Sequence, residues 1–129
     1  MIEIGVFLRP HLFEMLEALE PHFNICVFTA SEKVYANAII DEFDPKGKFF
    51  KKRIYRSKCF KTELGERPIF IKDLRAIVGF PIEKITIVDN SLISFALQPE
   101  NGIPISSYFY DPNDIELKCV SSYLVGKVA

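Results

Sequence analysis

Apolar residues fall into short blocks separated by polar, proline- and glycine-bearing stretches, and the period of the blocks changes along the chain. Residues 2–8 alternate weakly and predict an edge-like strand. Leu12, Phe13, Leu16 and Leu19 recur at helical spacing and predict an amphipathic helix over 11–20, with Pro10 in its first turn. NICVF, at 24–28, predicts a short strand buried on both faces. Thr29-Ala30-Ser31 follows, and Ser31 is placed to cap a helix carrying Val34, Ala38 and Ile39. Residues 49–56 and 68–71 predict the strands of a basic hairpin. Residues 74–78 begin a short helix that Gly79-Phe80-Pro81 stops. KITIV, at 84–88, predicts a second buried strand running into Asp89-Asn90-Ser91. Residues 103–109 predict a third strand and 114–124 a closing helix.

Strands alternating with helices predict an α/β fold with a parallel sheet covered on both faces. Ligands in such sheets bind beyond the carboxyl ends of the strands. Two strands here end in polar groups, at Thr29-Ala30-Ser31 and at Asp89-Asn90-Ser91, and a parallel arrangement brings those groups to one edge.

The chain has 129 residues, 49% apolar and 26% charged, which suits a single soluble globular domain and excludes a disordered or fibrous chain. No run approaches the roughly 18 apolar residues of a membrane-spanning helix. The first residues lack a basic start and an apolar run, so no signal peptide is expected. The three cysteines, Cys26, Cys59 and Cys119, form no C-x-x-C and point to a reducing nucleus or cytoplasm rather than a zinc module or a disulfide framework.

The net charge of −1 hides an uneven distribution. Residues 46–61, KGKFFKKRIYRSKCFK, carry eight of the 16 Lys and Arg residues and no acid. The run could attract phosphates. It reads more simply as a two-stranded ribbon with solvated charges, because the remainder is acidic and no nucleic-acid motif occurs. No direct nucleic-acid partner is therefore expected.

Three places along the chain have chemistry suited to phosphoryl transfer. Thr29 offers a hydroxyl at a strand end beside a helix N-terminus, where unpaired N–H groups and the helix dipole favour an anion; it could equally be only a cap. Asp89 and Asn90 are oxygen donors suited to magnesium; Asp-Asn-Ser after a strand is also an ordinary turn. Lys72, in IFIKDL, could neutralise a phosphate and a carboxylate, or could be a surface lysine. Together they make most of a phosphoryl-transfer site. A nucleophile with its partner acid is not among them: no D-x-D, G-x-S-x-G, H-E-x-x-H, Walker A or G-x-G-x-x-G occurs in these residues.

The run FLRPHLFEMLEALEPHFNICVFTAS, then KVYAN, IYRSKC, IKDL, ITIVDNS, FALQPENGIPISSYFYDPND and IEL, resembles a family along residues 5 to 124 in unbroken order. It is that of the small phosphatases of the RNA polymerase II carboxy-terminal domain, the Dullard and NLI-interacting-factor-like branch of the haloacid dehalogenase superfamily. The resemblance implies a magnesium-dependent phosphatase of phosphoserine or phosphothreonine in a phosphoprotein or phosphopeptide. It implies a Rossmann-like parallel sheet with a β-hairpin insert. Thr29 matches the phosphate-binding threonine, Lys72 the motif lysine, and Asp89 and Asn90 the acidic motif at the metal. Arg56, in R-x-x-C, and Tyr35, in the Y-A-D element, match positions that contact the substrate peptide. Asn37 stands where the family usually has Asp, a change expected to touch structure rather than chemistry.

The family's D-x-D-x-T, which ends its first, central strand, has no match in this sequence. Its first Asp is the nucleophile and its second the general acid. The expectation is therefore a single phosphatase-family domain truncated at its N-terminus, with D-x-D-x-T encoded just upstream. As it stands the chain is expected to be inactive, or a pseudophosphatase or phosphopeptide-binding module. Without its middle strand the sheet is expected to be marginal, or to borrow a strand by exchange or homodimerisation.

Overall fold

A computed structural model describes residues 7–128. The strand expected at 2–8 lies mostly outside the described residues; Phe7 and Leu8 have no regular structure. The chain divides into two compact units. One takes residues up to 26, then 39–52, then 107 onward; the other takes 27–38 and 53–106.

The first unit rests on two helices. Helix α1, Leu12–Leu19, buries Leu16 and Leu19, as its spacing predicts. It begins one residue later than expected, because His11 stands at its N-cap in a left-handed conformation (φ 69°) and Pro10 precedes the helix. Helix α3, Glu116–Val128, packs on α1 and buries Leu117, Val120 and Leu124. It runs beyond the predicted end at 124, passing through Gly126. Ahead of α3, Asp114 accepts from the Glu116 N–H and is gripped by both sides of the Arg9 guanidinium, at 3.0 and 2.9 Å. That grip holds the Asp114 carboxyl below the usual carboxylate range.

The same unit contains a carboxylate almost out of reach of water. Asp44 is 2% exposed. It follows helix α2, Lys33–Phe43, and accepts from the N–H groups of Lys48 (2.8 Å), Phe49 (3.3 Å) and Phe50 (3.0 Å). The return from α2 into strand β2, Phe50–Ile54, is thus wound around one side chain. Phe43 meets Phe13 and Phe50 edge to face.

Helix α2 itself departs from expectation. It starts at Lys33, so Ser31 lies two residues ahead of it and does not cap it. Ala36 and Ile40, four apart, are its buried pair, whereas Val34 and Ala38 are exposed. The buried face is therefore rotated from the one that the apolar residues suggest.

Strand β1, Ile25–Phe28, has β2 as its one sheet neighbour among the described residues. All four of its residues are half-buried rather than enclosed on both faces. The strand expected at 49–56 therefore pairs with β1 and not with 68–71. The hairpin belongs instead to β3, Phe60–Leu64, and β4, Arg67–Ile71. Its two-residue loop opens with Gly65 at φ 65°, the conformation that glycine adopts without strain in a tight hairpin. Lys46, Lys48, Lys51 and Lys52 are exposed, so their charges are solvated.

The core of the second unit gathers Leu74, Ile87 and Phe95, with Ile77 and Ile85 packed against it. The helix expected at 74–78 is a single 3-10 turn, Leu74–Ala76. The strand expected at 84–88 shortens to β5, Ile87–Asp89, because Ile82–Lys84 closes a 3-10 turn first. The strand expected at 103–109 shortens to β6, Gly102–Pro104, which pairs with β5 in parallel. Proline has no N–H to extend a ladder, and the Ile105 N–H makes the last bond, to the Asp89 carbonyl. A side chain at position 102 would place its Cβ 2.2 Å from the buried Phe95 ring, so only glycine fits there. Three two-stranded sheets are thus what the described residues form, and the β5–β6 pair is parallel. They make a small α/β fold in which a continuous parallel sheet is not seen.

A polar clamp fastens the 74–76 turn. The buried amide of Gln98 accepts from the Leu74 N–H at 3.0 Å and donates to Asp73 at 2.9 Å. Arg75 also donates to Asp73, and this bond chiefly lowers the Asp73 carboxyl to about 2. A carboxyl lowered by folding adds stability above its unfolded value of 3.8, and loses it as pH falls toward 2. Asp73→Asn should therefore flatten the acid limb of a urea-midpoint profile between pH 4 and 2 and leave the neutral limb's shape unchanged.

Candidate functional site

The six residues singled out by the sequence all lie in the second unit. Lys72 and Asp89 meet directly. Lys72 leaves β4 with its backbone N–H donating to the Ser94 carbonyl at 2.8 Å, and its ammonium donates to Asp89 Oδ2. The pair is well buried, with side chains 14% and 7% exposed. Asp89 ends β5, and its Oδ1 accepts from the Ser91 N–H at 2.9 Å, an Asx-turn of the kind expected for Asp-Asn-Ser. The carboxylate is thus both a turn-former and the counter-ion of the lysine. Asn90 follows it and is exposed.

Thr29 closes β1. Its N–H donates to the Ile54 carbonyl at 2.9 Å, and its Oγ1 accepts from the Ser31 N–H at 3.0 Å. The second bond uses a lone pair of the hydroxyl and leaves its proton able to donate. Residues 29–32 are then tied to the 54–59 segment. The Arg56 N–H reaches the Ser31 carbonyl at 3.1 Å, and Arg56 Nε reaches the Ala30 carbonyl at 2.6 Å. The guanidinium also approaches Glu32 at 3.5 Å and lies 4.8 Å above the Phe70 ring. Arg56 thus spends its Nε and one ring-facing surface holding the Thr29 loop. The Glu32 contact is an exposed pair of small energetic weight. Tyr35 stands exposed on the first turn of α2, and no contact ties it to Lys72 or Asp89 among the described residues.

Cys59 joins the two halves of this arrangement, and the sequence reading gave it no role. Its Sγ lies 3.8 Å from the Thr29 carbonyl. The β3–β4 register pairs Phe60 with Ile71, so Cys59 and Lys72 flank the same end of the hairpin. Burial pushes the Cys59 thiol up, and the charges of Lys72 and Arg56 pull it back in part. The signal was present as the R-x-x-C spacing, Arg56 to Cys59, which a 3-10 turn, Arg56–Lys58, makes compact.

Asn37 has a structural employment. Its Oδ1 accepts from Arg53 at 2.9 Å and from the Tyr55 hydroxyl at 2.6 Å.

The donor set fits a hard cation in kind and only partly in number. Asp89 and Asn90 supply two oxygens where magnesium takes six ligands, and Asp89 already holds an ammonium and an N–H. No group of three His, Cys, Asp or Glu residues able to hold a metal occurs among the described residues.

Comparison with known proteins gives a consistent result. The family model for NLI interacting factor-like phosphatase matches residues 1–129. The chain is 43% identical over 122 residues to CTD small phosphatase-like protein 3 of Caenorhabditis elegans, covering 95% of this chain and 41% of that protein. It is 40% identical over 109 residues to CTD small phosphatase-like protein 2 of Dictyostelium discoideum, covering 84% and 18%. It is 38% identical over 116 residues to CTD nuclear envelope phosphatase 1 of Xenopus tropicalis, covering 90% and 46%. The chain therefore belongs to the NLI interacting factor-like phosphatase family, and spans less than half the length of each of these relatives.

Proposed function

We propose that this member of the NLI interacting factor-like phosphatase family carries the phosphate-recognising part of a protein phosphoserine/phosphothreonine phosphatase site. The observation that supports it is the buried Lys72–Asp89 pair, linked through Cys59 and the hairpin end to the Thr29 loop. In this reading a phosphate dianion takes a proton-donor bond from the Thr29 hydroxyl. It takes further donors from the N–H groups of the first turn of α2, which have no partner within the helix. Lys72 shares its ammonium between Asp89 and the phosphate. Arg56 fixes the loop that presents Thr29, and Tyr35 borders the path of the peptide. Magnesium is proposed at Asp89 and Asn90, where it would neutralise phosphate charge, its other ligands being water, the phosphate itself and donors outside the pair.

The doubly covered parallel sheet of the haloacid dehalogenase type is part of the same proposal. In it, an added strand, from this protein or a second copy, would lie between β1 and β5. A nuclear or cytoplasmic location is proposed in keeping with relatives named as nuclear envelope phosphatases.

These 129 residues contain no D-x-D. The polypeptide they form should bind a phosphate ester and leave it intact, as a pseudophosphatase would. Phosphate release from a phosphoserine peptide with magnesium should stay at the level of the peptide alone. Loss of a nucleophile costs on the order of 10⁶ in rate in a well-studied hydrolase. Release at about 1 s⁻¹ or faster, within the ordinary range of enzymes, would overturn the reading for this polypeptide.

A further inference from the structure

The β3–β4 hairpin has two unlike faces. Cross-strand partners point the same way, so the register places Phe60, Thr62 and Leu64 on one face with Ile71, Ile69 and Arg67. The other face carries Lys61, Glu63, Pro68 and Phe70, and Arg56 lies there on Phe70. The first face mixes apolar side chains with Thr62 and Arg67; Ile71 at its far end is buried, and its loop end is open. Leu64 is 67% exposed and Phe60 53%.

A 3-10 turn, Leu92–Phe95, stands beside β4 and presents Ile93, 46% exposed. Leu64, Arg67, Pro68, Ile69 and Ile93 together line an open hollow of about 440 Å³. That volume is within the range of sites that accept a side chain or a small ligand. Its one charge is the Arg67 guanidinium, and no carboxylate lines the hollow. The neighbouring Glu63 and Glu66 are not among its lining residues. An apolar floor with a single cation at its rim complements an apolar side chain flanked by a carboxylate.

We propose that this hollow docks an acidic, leucine-bearing peptide segment of a partner protein. The leucine enters between Leu64, Ile69 and Ile93, and the neighbouring carboxylate pairs with Arg67. The fork geometry of arginine suits a carboxylate in particular. The residues concerned are separate from Thr29, Lys72 and Asp89, so the proposal does not depend on phosphate recognition.

The test is an amide-shift titration of the full 129-residue chain. The probe is the acetylated and amidated tetrapeptide of sequence Asp-Leu-Leu-Asp, with the Lys-Leu-Leu-Lys peptide as comparator. The acidic peptide should give saturable shifts confined to residues 64–69 and 93. The lysine peptide should bind about tenfold more weakly or worse, the loss of one well-placed interaction of about 1.4 kcal/mol. Arg67→Glu and Ile93→Asp should each weaken the acidic peptide by a similar factor. Both positions are exposed, and either variant alone decides the matter if the other fails to fold. Absent or scattered shifts, equal binding of the two peptides, or unchanged binding by the variants would overturn the proposal. So would concentration-dependent self-association through these residues, which would make a second copy the occupant.

Discussion

Lys72→Met should destabilise the chain by about 3–5 kcal/mol, the usual cost of removing one partner from a buried ion pair. The reason is Asp89. It is 8% exposed, and its Oδ1 is committed to the Ser91 N–H, so the carboxylate cannot turn toward water when the ammonium goes. Asp89 also sits where β5 pairs with β6, through its carbonyl to the Ile105 N–H. A charge left there works against the parallel β5–β6 pair. The Lys72→Met/Asp89→Asn double variant should recover at least half of the loss, because the amide keeps an oxygen for Ser91 and carries no charge. Urea midpoints of the three proteins measure this. Equal destabilisation by the single and double variants would mean that the lysine acts through packing alone.

Asp44→Ala should cost at least about 3 kcal/mol, since bonds from N–H groups to a charged acceptor are worth about 1.5–3 kcal/mol each. Three successive backbone donors, of Lys48, Phe49 and Phe50, converge on this one side chain. Alanine leaves them without the acceptor in a place where Phe49 is 5% exposed. Asp44→Asn keeps one oxygen and should fall between wild type and alanine. The loss should register as a lowered urea midpoint with an unchanged slope. A midpoint within error of the wild type would show that water replaces the carboxylate and that the turn does not depend on it.

How much of this is legible in the sequence varies with the kind of contact. Helix α1 is legible because Leu16 and Leu19 obey the helical period and the helix needs only its own neighbours. The partner of a strand is not, since β2 looks no more suited to β1 than to β4 until the chain is folded. The charge run drew attention to lysines that end in solvent, while Gly65-Glu66, the true hairpin loop, lay outside it. The buried face of α2 turns on Ala36, which is too small to dominate a pattern that Val34 leads. In the site, Lys72 and Asp89 are recognisable as residue types, and their contact is a fact of the fold. The link that Cys59 makes to Thr29 spans thirty residues and carries no periodic signature. Arg56 has the chemistry of a substrate contact, yet it turns inward to the Ala30 carbonyl.

The central claim is that the Thr29 loop and the Lys72–Asp89 pair recognise a phosphate ester. Calorimetric titration with one peptide, phosphorylated and unphosphorylated at a single serine, tests it most directly. The phosphorylated form should bind about tenfold more tightly or better, as charge-assisted bonds to a dianion would give, and Thr29→Ala should erase most of the difference. Equal affinity for the two peptides, or a preference for phosphate that Thr29→Ala leaves intact, would contradict it.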